Sequence, residues 1–167
     1  MKKCFNILLI LFSLSYPQEI FDGYTLFTPS TTISQNSHVT YLIDNDLNII
    51  NEWDTNCRPA SMSYLMPDST LIYPCKQENL QIEDVSAAGG RIIKYDWEGN
   101  VLWDWSCDWG YQLHHDIEPT PNGTILAIAM ENIDGNDSSF QPDLVLEIQP
   151  EGEGEANLLW SWRVYDH

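Results

Sequence analysis

Short runs in which apolar and polar residues alternate recur along this chain, and turn-forming residues separate them. Tyr41–Trp53 reads Y-L-I-D-N-D-L-N-I-I-N-E-W, and Ile93–Trp105 reads I-K-Y-D-W-E-G-N-V-L-W-D-W. Aligning Asp44 with Asp96 also aligns Asn48 with Asn100 and Trp53 with Trp105, each pair 52 residues apart. A looser third copy runs over Leu144–Trp162, and its Trp162 lies 57 residues after Trp105. Ile, Val, Tyr and Trp suit a pleated, half-buried surface, while Asp, Asn and Gly tolerate the backbone of hairpin turns. Each copy therefore predicts a β-hairpin ending in an aromatic anchor. A second hairpin type follows in Arg58–Pro74 and Leu113–Met130, where Pro67-Asp68-Ser69-Thr70 aligns with Pro121-Asn122-Gly123-Thr124 at an offset of 54. A Pro followed by Asp or Asn-Gly is a turn signal.

Two hairpins per unit make four strands per unit, with a period of about fifty residues. No segment sustains helical spacing over three turns. The pattern predicts an all-β chain and, in preference to a sandwich or barrel, a β-propeller. One further strand is expected at Tyr24–Phe27, polar loops at residues 29–37 and 134–143, and an inter-strand insertion at Lys76–Gly90. On this count residues 19–167 hold two full four-stranded blades and the first hairpin of a third. Closed propellers have four or more blades, so the chain is expected to belong to a longer protein or to assemble in order to close.

Charge narrows the function classes. Seven Lys and Arg stand against 25 Asp and Glu, a formal net charge of −18. That disfavours nucleic acid and anionic membrane surfaces, both of which require basic residues. Hydrophobic residues make up 43% of the chain, with seven Trp, which excludes a disordered acidic tail. At the N-terminus Lys2-Lys3, the apolar run Ile7–Phe12 and the small residues Ser13 and Ser15 form a signal-peptide pattern. Residues 1–18 are therefore expected to be removed on export, leaving a periplasmic or secreted protein without a membrane span; a buried N-terminal strand is the alternative. Cys4 precedes the apolar run, which argues against a lipid anchor.

Cys57, Cys75 and Cys107 then remain. An oxidising compartment permits one disulfide, and Cys57–Cys75, flanking a predicted hairpin, is favoured over three separate buried thiols. No C-x-x-C pattern supports zinc. Asp134, Asn136 and Asp137 offer oxygens for Ca²⁺, but they lack the spacing and closing Glu of an EF-hand loop, so a plain surface loop is preferred.

The residues with most chemical potential are His114, His115 and Asp116. They precede the Pro121-Asn122-Gly123 turn and fall opposite Ala60 and Ser61 in the repeat, so the fold itself does not ask for histidine there. Histidine acts as nucleophile, acid–base group or metal ligand. Adjacent strand residues point to opposite faces, so both histidines reach one site only across a bulge. Otherwise one bonds a turn and the other faces solvent. Asp116 is placed to orient an imidazole or to end a turn. His167 ends the chain at a comparable place in the third unit, and Arg58 opens the equivalent strand in the first, as a cation for an anionic substrate or as a surface ion pair. His38 reads as a surface-loop residue. The tryptophans, locked to the repeat, read as packing residues rather than a sugar platform. No phosphate loop, nucleophile elbow or H-E-x-x-H motif occurs.

Taken together, G-Y-T-L-F (Gly23–Phe27), Y-L-I-D-N-D (Tyr41–Asp46), Y-D-W-E-G-N-V-L-W (Tyr95–Trp103), H-H-D-I-E-P-T-P-N-G-T (His114–Thr124) and W-R-V-Y-D-H (Trp162–His167) resemble the bacterial arylsulfotransferase family. The resemblance implies a six-bladed exported propeller that transfers a sulfuryl group from an aryl sulfate to a phenol, without a nucleotide donor or other cofactor. It implies a ping-pong route through a channel histidine. His115 and His114 match the family's H-H-D segment and His167 its later W-D-H; Arg58 and Asp116, candidates from their places in the repeat, are the expected substrate-binding residues. The family's further His-Asn and Gln-His segments, where its nucleophile is expected, have no counterpart here, so this chain alone is expected to lack the full site. The alternative reading is a secreted, non-catalytic propeller serving as a binding or scaffold module.

Overall fold

The computed structural model describes residues 21–29, 38–82, 87–133 and 141–167. The expected signal peptide and the acidic triplet Asp134, Asn136 and Asp137 lie outside the described residues.

Eleven strands fold among the described residues: β1 Thr25–Phe27, β2 Val39–Ile43, β3 Ile49–Asp54, β4 Tyr64–Leu65, β5 Leu71–Lys76, β6 Gly90–Tyr95, β7 Val101–Ser106, β8 Tyr111–Pro119, β9 Ile125–Glu131, β10 Asp143–Glu151 and β11 Glu155–Arg163. A single 3₁₀ turn over Val164–Asp166 follows β11. The strands form three antiparallel meanders: β1-β2-β3, β4-β5-β6-β7 and β8-β9-β10-β11. The strands match the sequence expectation, but their grouping does not. Each four-stranded sheet joins a Pro-turn hairpin to the Trp-anchored hairpin that follows it, so the repeat is cut between Trp53 and Arg58 rather than before Tyr41. The two and a half blades read from the sequence become one three-stranded and two four-stranded sheets. A periodic pattern fixes the period and leaves the starting point open; the backbone pairing of β5 with β6 supplies it.

The offset of 52 has a direct structural counterpart. The Asp44 carboxylate accepts the Asn48 backbone N–H and side-chain amide, both at 2.9 Å. Asp96 does the same for Asn100 at 2.7 and 2.8 Å. The residue before each Asn is left-handed: Leu47 at φ 65° in the first turn and Gly99 at φ 85° in the second.

Two apolar cores fill the two sheet–sheet interfaces. Leu42 and Trp53 pack against Leu71, Tyr73, Ile93 and Tyr95 between the first and second sheets. Ile72, Ile92, Trp103 and Trp105 pack against Ile125, Ala127, Leu144, Leu146 and Ile148 between the second and third. At each interface an indole N–H near the end of one sheet donates to the hairpin turn of the next. Trp53 Nε1 reaches the Asp96 carbonyl at 2.8 Å, and Trp103 Nε1 reaches the Glu155 carbonyl at 2.7 Å. Trp53, Trp103 and Trp105 are packing residues, as expected. Trp160 and Trp162, their counterparts on β11, are 48% and 38% exposed, where Trp103 and Trp105 are 3% and 5%. Among the described residues no sheet covers that face.

Cys57 and Cys75 form a disulfide, and Cys107 is free and buried. His38 departs from its surface-loop expectation. It is buried, because its carbonyl accepts both the N–H and the hydroxyl of Thr55 at 2.8 and 2.6 Å and draws the residue against β3. No helix among the described residues is long and apolar enough to cross a membrane.

Candidate functional site

The bulge that the adjacent histidines require is present. On β8, Leu113 pairs with Ala129 and Ile117 with Ala127, so three residues of β8, His114, His115 and Asp116, stand opposite the single Ile128 of β9. His115 takes a left-handed backbone at φ 60°, a conformation costly for a residue with a Cβ. Its N–H donates to the Ala87 carbonyl at 3.0 Å, and Ala88 bridges His114. The segment 87–89 thus lies along the bulge and holds it.

The bulge turns the two side chains to different surroundings while keeping them in contact. His114 is buried and His115 is exposed. Their rings meet edge to face, with the two Nδ1 atoms 2.7 Å apart. The other nitrogen of His114, Nε2, lies 3.2 Å from Asp143 Oδ1 on the first residue of β10. That nitrogen has no well-directed hydrogen bond, so the contact is one of charge to ring nitrogen rather than a linear bond. Asp116 accepts the Tyr64 hydroxyl at 3.2 Å and the Ile117 N–H at 2.9 Å. Burial, and then the Asp116 carboxylate, push the Tyr64 phenol up to about 12, so it stays protonated and donates.

His115 and Asp116 line an open cleft of about 710 Å³ together with Leu26–Thr28, Ala60–Ser63 and Ala87. The three sheets each contribute to it: the end of β1, the lead-in to β4, and the bulge of β8. The repeat's alignment of Ala60 and Ser61 with His114 and His115 is thereby realised in space, since all four line the adjoining crevice. Ser61 Oγ is buried there without a partner, and Thr28 Oγ1 contacts Ser63 Oγ at 3.4 Å. The cleft wall therefore carries hydroxyls and one imidazole.

Of the residues singled out from sequence, His114, His115 and Asp116 come together. Arg58 and His167 do not join them. Arg58 is exposed, forms no ion pair among the described residues and does not line the cleft. His167 stacks on Trp162, ring centroids 5.4 Å apart. Trp162 belongs to β11, the edge of the third sheet opposite β8. Sequence reasoning missed Asp143 and Tyr64. Asp143 closes an acidic loop that reads as a surface feature, and only the register places it: it pairs with Met130, which pairs with Gln112, two residues before His114. Among the described residues no group of three His, Cys, Asp or Glu side chains is arranged to hold a metal ion.

Comparison with known proteins gives one family match. The family model described as Arylsulfotransferase (ASST) matches residues 26–167, which takes in every strand but the first residue of β1. A search of curated proteins finds no match.

Proposed function

The chain belongs to the arylsulfotransferase family, and from that premise we propose that it moves a sulfuryl group from an aryl sulfate to a phenolic acceptor by way of His115, the imidazole that lines the cleft among the described residues, in the part the family is expected to give to its later histidines. The observation that carries the reading is the bulge, which spends backbone strain at His115 to turn an imidazole into a cleft lined by all three sheets. In the first half-reaction His115 Nε2 attacks sulfur. An N–S bond forms, the S–O bond to the aryl group breaks, and the aryl oxygen leaves with the electron pair and takes up a proton. In the second, the acceptor phenol loses its proton, its oxygen attacks sulfur, and the N–S bond breaks to restore the imidazole. Ser61, Ser63 and Thr28 supply neutral hydroxyl donors for the sulfuryl oxygens, the role such donors play at any developing anion. Asp116, anchored by Tyr64, sits beside the bulge and defines one side of the substrate space.

Arrangement of the sheets as blades of a propeller, six in the closed ring, belongs to the same proposal, as does export directed by residues 1–18 with residues 19–167 as the mature blades. The disulfide supports an oxidising compartment. A non-catalytic binding or scaffold role is favoured by one observation: neither Arg nor Lys lines the cleft. Incubating the full chain with a nitrophenyl sulfate and a phenol separates the two. Transfer with nitrophenol release, a sulfo group on the His115 peptide by mass spectrometry, and loss of both in His115→Ala are expected. Absence of transfer and of modification would overturn the enzymatic reading.

A further inference from the structure

We infer that Asp143, acting through His114, sets the tautomer of His115 so that His115 Nε2 presents its lone pair to the cleft. Two imidazole nitrogens 2.7 Å apart share one proton, because two lone pairs or two N–H groups facing each other at that distance repel. A neutral His114 carries its proton on Nδ1 or on Nε2. With the proton on Nδ1, a bare Nε2 would lie 3.2 Å from the Asp143 carboxylate, an unfavourable approach of two electron-rich groups. With the proton on Nε2, the positive end of that N–H lies beside the carboxylate as a charge contact without a directed bond, Nδ1 accepts, and the shared proton belongs to His115 Nδ1. His115, itself neutral, then has a bare Nε2. This is the nitrogen that the proposed transfer uses, so the value of the arrangement to catalysis rests on that reading, although the tautomer itself does not.

Asp143 is a positioning residue in this scheme, since its carboxylate touches His114 and not the cleft. Its location explains why a buried imidazole is tolerated. His114 is 6% exposed and its Nε2 makes no directed hydrogen bond, so the Asp143 carboxylate 3.2 Å away acts on it by charge alone. The left-handed backbone at His115 has the same explanation: the bulge lets two consecutive rings meet Nδ1 to Nδ1.

The test labels the histidines of the full chain with ¹⁵N and reads which ring nitrogen bears the proton from two-bond ¹H–¹⁵N correlations, without substrate. The expected result at neutral pH is His115 protonated on Nδ1 and bare on Nε2. Asp143→Asn supplies an amide that donates to His114 Nε2 and should reverse both rings, leaving His115 protonated on Nε2. Asp143→Glu should restore the original state. Because Asp143 is an exposed strand terminus, these variants keep the backbone spectrum of the parent. With an active preparation, Asp143→Asn should lower kcat roughly 10- to 100-fold with little change in KM. A parent His115 protonated on Nε2, or an Asp143→Asn spectrum with His115 unchanged, overturns the inference. The expected tautomers in a chain that transfers no sulfuryl group leave the inference standing and defeat the proposed function instead.

Discussion

His115 and Leu47 are both held at positive φ, at 60° and 65°, for different ends. At His115 the strained backbone delivers an imidazole to a cleft, and the cost is offset by the N–H bond to Ala87 and the contact with His114. Strained non-glycine residues concentrate at such places. At Leu47 nothing is delivered: the side chain is exposed and the equivalent turn uses Gly99. Leu47→Gly should therefore relieve the left-handed penalty at a smaller cost in chain entropy, a net gain of about 1 kcal/mol. Thermal unfolding should shift upward by roughly 2–4 °C. A fall in stability would mean that Leu47 packs in a way its exposure does not suggest.

Among the elements, the two Asp turns are the repeated structural device. Each carboxylate is held below the ordinary value of 3.8, first by the side-chain amide of the Asn four residues on, and also by backbone N–H groups. A depressed folded value means that the ionised form stabilises the turn. That contribution is complete above the ordinary carboxylate range and is lost as pH falls below 3.8 through the folded value. Asp44→Asn combined with Asp96→Asn should flatten the decline in unfolding free energy between pH 5 and 2.5, measured by urea denaturation, and an unchanged slope would contradict the assignment. The same turns matter beyond their own hairpins, because Trp53 docks on the Asp96 carbonyl of the next sheet. Their positions are legible in sequence, since an Asp with an Asn four residues on, between two alternating runs, needs no distant information. The bulge in β8 is not legible in the same way. Its residues continue a β pattern, and only pairing with β9 shows that three of them stand opposite one.

For the molecule as a whole, the disulfide fastens the segment that leads into the cleft. Cys57 is joined to Cys75 on β5 across 18 residues, and the Tyr73 hydroxyl donates to the Cys57 carbonyl at 2.8 Å. Ala60–Ser63, one wall of the cleft, hangs from this anchor. Closing a loop of that size contributes about 3 kcal/mol in the chain-entropy account. Replacing Cys57 and Cys75 together by Ser should lower the unfolding free energy by about that amount and raise amide exchange across residues 57–63 ahead of the rest. Uniform exchange over the second sheet would show that the disulfide does not act on the cleft wall. Cys107 is no substitute partner: burial pushes its thiol up to about 11, leaving it protonated and inert.

Local chemistry is what the amino-acid order determines here. Alternation, turn residues and the paired offsets of 52 and 54 specify the hairpins, their all-β class and the motifs that mark the family, because strand propensity and turn geometry act over a few residues. The Cys57–Cys75 pairing was within reach for the same reason, as the two flank one hairpin. Tertiary structure decided everything that depends on register between distant strands. It set where one sheet ends and the next begins, buried His38, and brought Asp143 to His114 and Tyr64 to Asp116. It also left Arg58 and His167 away from the cleft that His115 faces. Register is a property of paired backbones, and a one-residue change in it sends every side chain to the other face.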